Sequence, residues 1–563
     1  MALRVRRGRA PLLIIAPHGG RRHPSRRPWT SGALRVNDLH TADLAFELAD
    51  RLDADAIVND EIDRNDLDLN RIPQIRARAP WFLDLIADHL SALRQRYGTA
   101  VAVLFVHGWN VADPACDVGL GAPLEHPASA PSPLAPATRP ALAVDDAFLV
   151  ERVGTLRRAC TARGISTGLG WRYPASSPGN LLQLFTRRYH ADPDSRLDRL
   201  ARLGEHINAV QLELGIPLRF PCEWRTRFVD ACVATFADRP ESAHLPGAGD
   251  RHAPPPAMLD ATSGLTHRLA MQFHHVNGGV AGLIACDVGP KGASARLLLL
   301  PDDGGLHLFT AEAPSALARD GLRIGPLRLR REAPGALALQ FEGPMLRFAD
   351  TSPFLDLEVG LVGARIHDVA LDLRFRHAHG SGRQEAADAP TGTWPLERDR
   401  GGFGHVSGRI TGLEAAGPDV AVSYELSGHG FLDGHDAIRG ASTLSCSLPG
   451  APGGALRIVV PRHGRPVAHR YQQDAACEAL TVASFSLGAP RPPITAPPFT
   501  VSLHDAAGRE VAVRGTPGAS IPVVRQLPHG RTARYELAFC RYVVDGVDAG
   551  AGWTEVSMGT DSP

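Results

Sequence analysis

The hydrophobic period changes once along this chain, and that change limits what it can fold into. Up to about residue 237, short apolar runs alternate with stretches whose large side chains recur at helical spacing. The runs are Leu12–Ala16, Ala56–Val58, Val101–Val106, Ile165–Leu169 and Val210–Leu214. Between them Leu44, Leu48 and Leu52 share one helical face, as do Phe82, Leu85, Ile86, Leu90 and Leu93, and again Leu149, Val153 and Leu156. This alternation predicts an α/β domain over 1–237, with a mostly parallel sheet covered by helices on both faces. Residues 238–263 turn to Pro, Gly, Ala and His, a linker composition. Beyond them, runs such as GLHLFTA, ALALQFEG, DVALDLRFR and ARYELAFCRYVV alternate apolar and polar residues between turn signals. Period two predicts an antiparallel all-β barrel or sandwich over 264–563, with a barrel region preferred. Two irregular stretches, 377–402 and 488–498, divide it and suggest two sub-barrels.

The length agrees with two domains, since single cores rarely grow past about 250–300 residues. Its 60 basic and 60 acidic side chains cancel, which removes any electrostatic case for nucleic acid or an anionic membrane. The eight cysteines show no CxxC spacing and read as core thiols of a reducing, cytoplasmic compartment. No apolar run approaches the roughly 18 residues that span a bilayer.

Chemistry concentrates in the first domain. LLIIAPHGG runs a strand into His18 and a glycine pair, and VLFVHGWN does the same at His107. AVQLEL carries Glu213 inside an apolar strand, where a carboxylate must be paired or ligated. Asp38 precedes a helix, where N-capping is the default role and ligation the rarer one. Arg64, Asp68, Asn70 and Arg71 form a polar run that reads either as a salt-bridged loop or as a guanidinium grip on a carboxylate. Strand C-termini of an open α/β sheet converge on one crevice. Two imidazoles and carboxylates gathered there read as a metallohydrolase site, because such sites use three protein ligands and leave a position for water.

The order of these motifs, PHGG, a lone Asp, R…DLNR, strand-HG and strand-QLEL, resembles the N-formylglutamate amidohydrolase family over roughly residues 10–237. That family belongs with the zinc-carboxypeptidase-like α/β hydrolases, so the resemblance implies a phosphorylase/hydrolase-like fold and a zinc ion. It implies His18, Asp38 and His107 as metal ligands and Glu213 as general base. Arg64, Asn70, Arg71 and Arg187 would hold the substrate carboxylate or oxyanion, with Arg187 catalytic, and Asp117 would line the pocket. Phe105 stands where the family has an aspartate and Leu184 where it has a histidine, which implies a pocket unlike the family's standard one. Arg21, Arg22, His23, Arg26 and Arg27 read as a solvated basic loop, and Cys116 has no second motif to make it a nucleophile. The Pro/Ala-rich insert 121–143 reads as a lid or as a disordered surface insertion.

In the second half ELSGHGFLDGHDAIRG (Glu425 to Gly440) resembles the G-x-G-x-x-D-H-S-W-G-x-R element of AttH-like and carotenoid-hydratase-like proteins. Those proteins pair two lipocalin-type barrels. Gly428, Gly430, Asp433 and Arg439 keep the spacing, and Asp433–Arg439 reads first as a buried ion pair. The many histidines there read as dispersed surface residues.

The resulting expectation is a zinc-dependent amidohydrolase acting on an N-acyl amino acid or related small amide, with an apolar ligand in the barrel region. Its competitors are a lipocalin-like ligand-binding or hydratase-like protein with a silent α/β domain, and a metallocarboxypeptidase-like enzyme.

Overall fold

The computed structural model describes residues 3–21, 35–98, 101–123 and 142–237 of the first half. In the second half it describes 267–275, 279–289, 292–301, 305–314, 317–318, 321–333, 336–349, 357–377, 402–414, 421–436, 442–448, 455–461, 466–471, 478–489, 496–526 and 532–561. The chain divides into two units, Met1–Pro255 and Pro256–Pro563. The expected linker 238–263, most of the 121–143 insert, the basic residues from Arg22 to Arg27, and Arg439 lie outside the described residues, as does the side chain of Asp433.

The first unit runs β1 (Leu3–Arg6), β2 (Leu12–Ala16), α1 (Thr41–Leu52), β3 (Asp55–Asn59), α2 (Ile72–Arg78), α3 (Pro80–Tyr97), β4 (Ala102–Gly108) and β5 (Ala115–Gly119). It continues with α4 (Asp146–Phe148), α5 (Gly154–Thr161), β6 (Ser166–Gly168), α6 (Ser195–Gly204), β7 (Asn208–Leu214), α7 (Ile216–Arg219) and α8 (Glu223–Phe236). The seven strands form one sheet in the order β1-β3-β2-β4-β7-β5-β6. The central pairs β3–β2, β2–β4 and β4–β7 are parallel.

The sheet is mostly parallel, as expected, since β5 and β6 also pair in parallel, and it carries two antiparallel pairs. β1 adds to β3 antiparallel, and β5 runs antiparallel to β7. The reason is local: β5 follows β4 after only six residues, too few for a parallel crossover. Even-numbered β2 side chains and the leucines of α1 pack into one core with α5 and α8. Leu13 and Ile15 face the other, against Phe82, Ile86, Leu90 and Leu93 of α3. Both faces are thus covered, as buried parallel strands require.

In the second unit eight strands hydrogen-bond in the order Leu306–Ala313, Gly292–Pro301, Val280–Gly289, His267–His275, Ala421–Asp436, Gly402–Glu414, Arg365–His377 and Ala336–Phe348. Ala336–Phe348 pairs back onto Leu306–Ala313, which closes an antiparallel ring of eight. Eight further strands, from Ser442–Leu448 to Val547–Asp561, form a second closed barrel. Phe499–His504 alternates strictly between buried and less buried positions, the period-two signature of one packed face. The Trp553 indole of the second barrel donates to the Gly282 carbonyl of the first at 3.1 Å. Among the described residues no helix is long and apolar enough to cross a membrane.

Candidate metal centre

β2 and β4 are adjacent and parallel, so the turn after β2 and the C-terminal end of β4 deliver His18 and His107 to the same end of the sheet. Asp38 arrives from the segment before α1, tied down by its own N–H on the His18 carbonyl at 3.0 Å. It does not cap the helix: the N-cap position of α1 is His40, in the left-handed region, and no side chain caps it. The Asp38 carboxylate turns inward instead, where Gly108 N–H donates to Oδ2 at 2.9 Å. The glycines serve the protein's own packing. A Cβ on Gly19 would stand 2.6 Å from the Asn59 carbonyl oxygen, and one on Gly108 would stand 2.9 Å from the Asp38 Cβ.

Three donor atoms meet here. His18 Nδ1 lies 3.2 Å from Asp38 Oδ2, His107 Nδ1 lies 3.2 Å from His18 Nδ1, and His107 Nδ1 lies 3.5 Å from Asp38 Oδ2. All three residues are 2% exposed. Ligand atoms bound at about 2.0–2.2 Å to one tetrahedral zinc stand roughly 3.3–3.5 Å apart, so the triangle has the size of one face of such a site.

Proton placement gives a second test of fit. His18 Nε2 faces Asp68 Oδ1 at 2.7 Å, and a carboxylate there fixes the proton on Nε2. The Nδ1 lone pair is then aimed at another carboxylate, Asp38, and a proton or a cation must lie between them. His107 Nε2 is buried and finds no hydrogen-bond partner among the described residues. Burial, first, and the neighbouring His18 lower the His107 pKa to about 4 against the pull of Asp38. A neutral imidazole is the form that binds a metal. Burial alone would raise the Asp38 carboxyl; Arg64, whose Nη1 donates to Oδ1 at 2.9 Å, together with His18 and His107, holds it well below the usual range. The donor set suits zinc or a similar divalent ion.

Glu213 sits beside this triangle. On β7 it is in register with His107 of β4 on one side and Asp117 of β5 on the other. It is 8% exposed. Burial, then the charge of Asp38, pushes its carboxyl well above the ordinary value, against a 2.7 Å hydrogen bond from Gln211 Nε2 to Oε1. Gln211 is held in turn by Asn180 Nδ2 at 3.0 Å. Asp117 is raised by burial as well, although the Arg172 and Tyr173 N–H groups both donate to its Oδ2.

The other expected residues divide. Arg64 is committed to Asp38, and Asn70 accepts from the Leu181 N–H at 3.3 Å, a tie between distant loops. Arg71 pairs with Asp68 at 3.7 Å, and its side chain is 36% exposed. Arg187 falls outside the cluster, 76% exposed, with Glu205 3.7 Å away. Thr186 caps a one-turn 3₁₀ helix there, from which Arg188 Nε donates to Gln183 Oε1 at 3.1 Å, although both arginines are exposed. Arg21 is exposed. Cys116 is buried and its thiol pushed well up by that burial, which makes it a core residue.

Two participants were given no role of their own at the metal centre by the sequence reading. Asp68 belonged to DLNR but only as one of four polar residues. Arg219 gave no signal at all, yet it is wholly buried beside Gly108. A small separate cluster of Trp109, Val111 and Ala115 packs with Trp171 and Tyr173 next to this site. Trp109 meets Tyr173 edge to face at 5.7 Å.

No protein-family model and no curated protein matches the chain. Among solved structures it is similar to a protein named as an AttH from Nitrosomonas europaea, at 12% identity and TM-score 0.33 over 52% of this chain and 91% of that one. It is similar to CghA at 12% identity and TM-score 0.31, over 53% and 89%. A kievitone hydratase from Nectria haematococca gives 12% and 0.31, over 55% and 95%. TM-scores this low carry no argument about this chain. The N-formylglutamate amidohydrolase resemblance rests on its motifs alone.

Proposed function

We propose that the first unit is a metal-dependent hydrolase that cleaves the amide bond of an N-acyl amino acid or a related small amide. One observation carries this reading: the triangle of His18 Nδ1, Asp38 Oδ2 and His107 Nδ1, with edges of 3.2, 3.2 and 3.5 Å. A zinc ion held there would supply Lewis-acid polarisation of the carbonyl and make hydroxide available near neutral pH. His18, Asp38 and His107 hold the ion, and Asp68 orients His18. Glu213 takes a proton from the attacking water and delivers it to the leaving nitrogen, a role suited to a carboxyl whose pKa lies above the ordinary glutamate value. Arg71 receives the substrate carboxylate. The Trp109, Trp171 and Tyr173 rings offer an apolar wall for the acyl group.

The test is elemental analysis of the full-length chain and of a His18→Ala, His107→Ala double variant. About one zinc per chain in the wild type, absent from the variant, supports the reading and directs a screen of N-acyl amino acids. A folded wild type that stays metal-free after zinc is added overturns it.

A second reading belongs to the other unit. Its two closed eight-stranded rings have the strand number that can enclose one small ligand. A lipocalin-like ligand-binding or hydratase-like protein would keep its ligand or activity in the double variant; the hydrolase would lose its activity.

A further inference from the structure

Arg219 ends α7, five residues after β7 closes, and its side chain is 0% exposed. Burying a guanidinium is costly unless its donors are used. Nη1 donates to the Leu39 carbonyl at 2.5 Å, and Nη2 donates to Asn110 Oδ1 at 2.6 Å. Leu39 follows the ligand Asp38, and Asn110 lies three residues beyond the ligand His107. The fork therefore spans the two loops that carry those ligands. Its centre presses on the turn between them: a Cβ on Gly108 would stand 3.0 Å from Arg219 Cζ and 2.9 Å from Asp38 Cβ. The brace is itself anchored, since Arg225 donates to the Arg219 carbonyl at 3.2 Å and to Glu47 at 2.7 Å. Arg219 makes no ion pair with Asp38, and its Nε has no hydrogen-bond partner among the described residues. Its two strong contacts are positional ones, to a backbone carbonyl and an amide.

We propose that Arg219 is a positioning residue that fixes the distance between Asp38 and His107, and through it sets the affinity of the centre for a divalent metal. The inference rests on the metal reading above. A planar fork reaches two acceptors at once, which a lysine ammonium on a flexible stem does not reproduce.

The experiment is zinc affinity by competition with a chromophoric chelator, on the full-length chain, beside thermal melting of the metal-free protein. Arg219→Met is expected to weaken zinc about 10–100-fold, the cost typical of losing an outer-shell partner. Arg219→Lys is expected to stay close to Arg219→Met. Asn110→Ala, at an exposed position, removes one arm and weakens zinc by part of that factor; combined with Arg219→Met it adds nothing further. Zinc affinity unchanged in Arg219→Met and Arg219→Lys, even with a lower melting temperature, overturns the proposal. If Arg219→Met does not fold, Asn110→Ala decides: unchanged affinity overturns the brace, a loss at unchanged melting temperature supports it. A wild type that takes up no zinc overturns the metal reading itself, before any variant is compared.

Discussion

Nε2 of His18 stands 2.7 Å from Oδ1 of Asp68, fifty residues along the chain, and that contact decides which face of the imidazole is free. Asp68 is built to stay ionised. Although burial opposes it, the His18 hydrogen bond and the charges of His18 and Arg64 hold its carboxyl well below the usual range. The Asn70 N–H donates to Oδ1 at 3.0 Å, and Arg35 to Oδ2 at 3.1 Å. A permanent anion behind His18 keeps the proton on Nε2 and points the Nδ1 lone pair at the triangle.

Asp68→Asn is therefore expected to fold and to lose metal affinity, by about 10–100-fold. The amide keeps the shape but gives up the charge that fixes the tautomer. Chelator competition on the purified variant reads the loss. Affinity equal to wild type would remove Asp68 from the account of the centre.

Arg71 separates the substrate reading from the metal reading. Arg71→Ala should leave zinc content unchanged and raise KM for N-acyl amino acids, while leaving hydrolysis of the corresponding carboxamides nearly untouched. A charge-assisted contact to a carboxylate is worth about 1.5–3 kcal/mol, or roughly 10- to 100-fold. Equal loss on both substrate types would mean that Arg71 supports the loop and not the ligand.

The positions of the candidate centre were legible because each breaks an apolar pattern: His18 and His107 close hydrophobic strands, and Glu213 interrupts one. Asp38 was legible only through the order of the motifs, since an acid before a helix usually caps it. What stayed hidden depended on tertiary placement. ACDVG is five residues with an aspartate in the middle, too short and too mixed to mark a strand; as β5 it runs antiparallel and brings Asp117 level with Glu213. Arg219, in IPLRF, looks like the polar end of a surface helix. Arg187 and Arg188 are equivalent in sequence, and only the Thr186 turn decides which one reaches Gln183.

Glu213 and Gln211 make a graded pair. Glu213→Gln should keep zinc and lose about 10²–10⁴-fold in kcat, the usual weight of a general base. In the wild type, burial and Asp38 raise the Glu213 pKa, so the acid limb of kcat/KM should lie above 4.5, the ordinary glutamate value. The Gln211 hydrogen bond works against that rise. Gln211→Leu removes it, so the limb should move to higher pH at constant zinc content. A limb that stays in place, or moves down, would take Glu213 out of the proton transfer.

The barrel unit carries an acid-sensitive element of its own. His307 is fully buried, with Nδ1 2.9 Å from His367 Nε2. Burial, then the charges of His367 and Arg347, lower its pKa from 6.5 to about 3. Between these values the unfolded chain binds a proton that the folded one excludes, so stability rises with pH across that window. It is fully present above pH 6.5 and lost progressively as pH falls toward about 3. Thermal melts of the full chain between pH 4 and 7 should show an acid limb that His307→Leu flattens, because the variant has no such group to protonate on unfolding. Equal slopes in wild type and variant would assign the acid sensitivity elsewhere. The wild-type melting temperature should then be no steeper below pH 6.5 than the remaining carboxylates require.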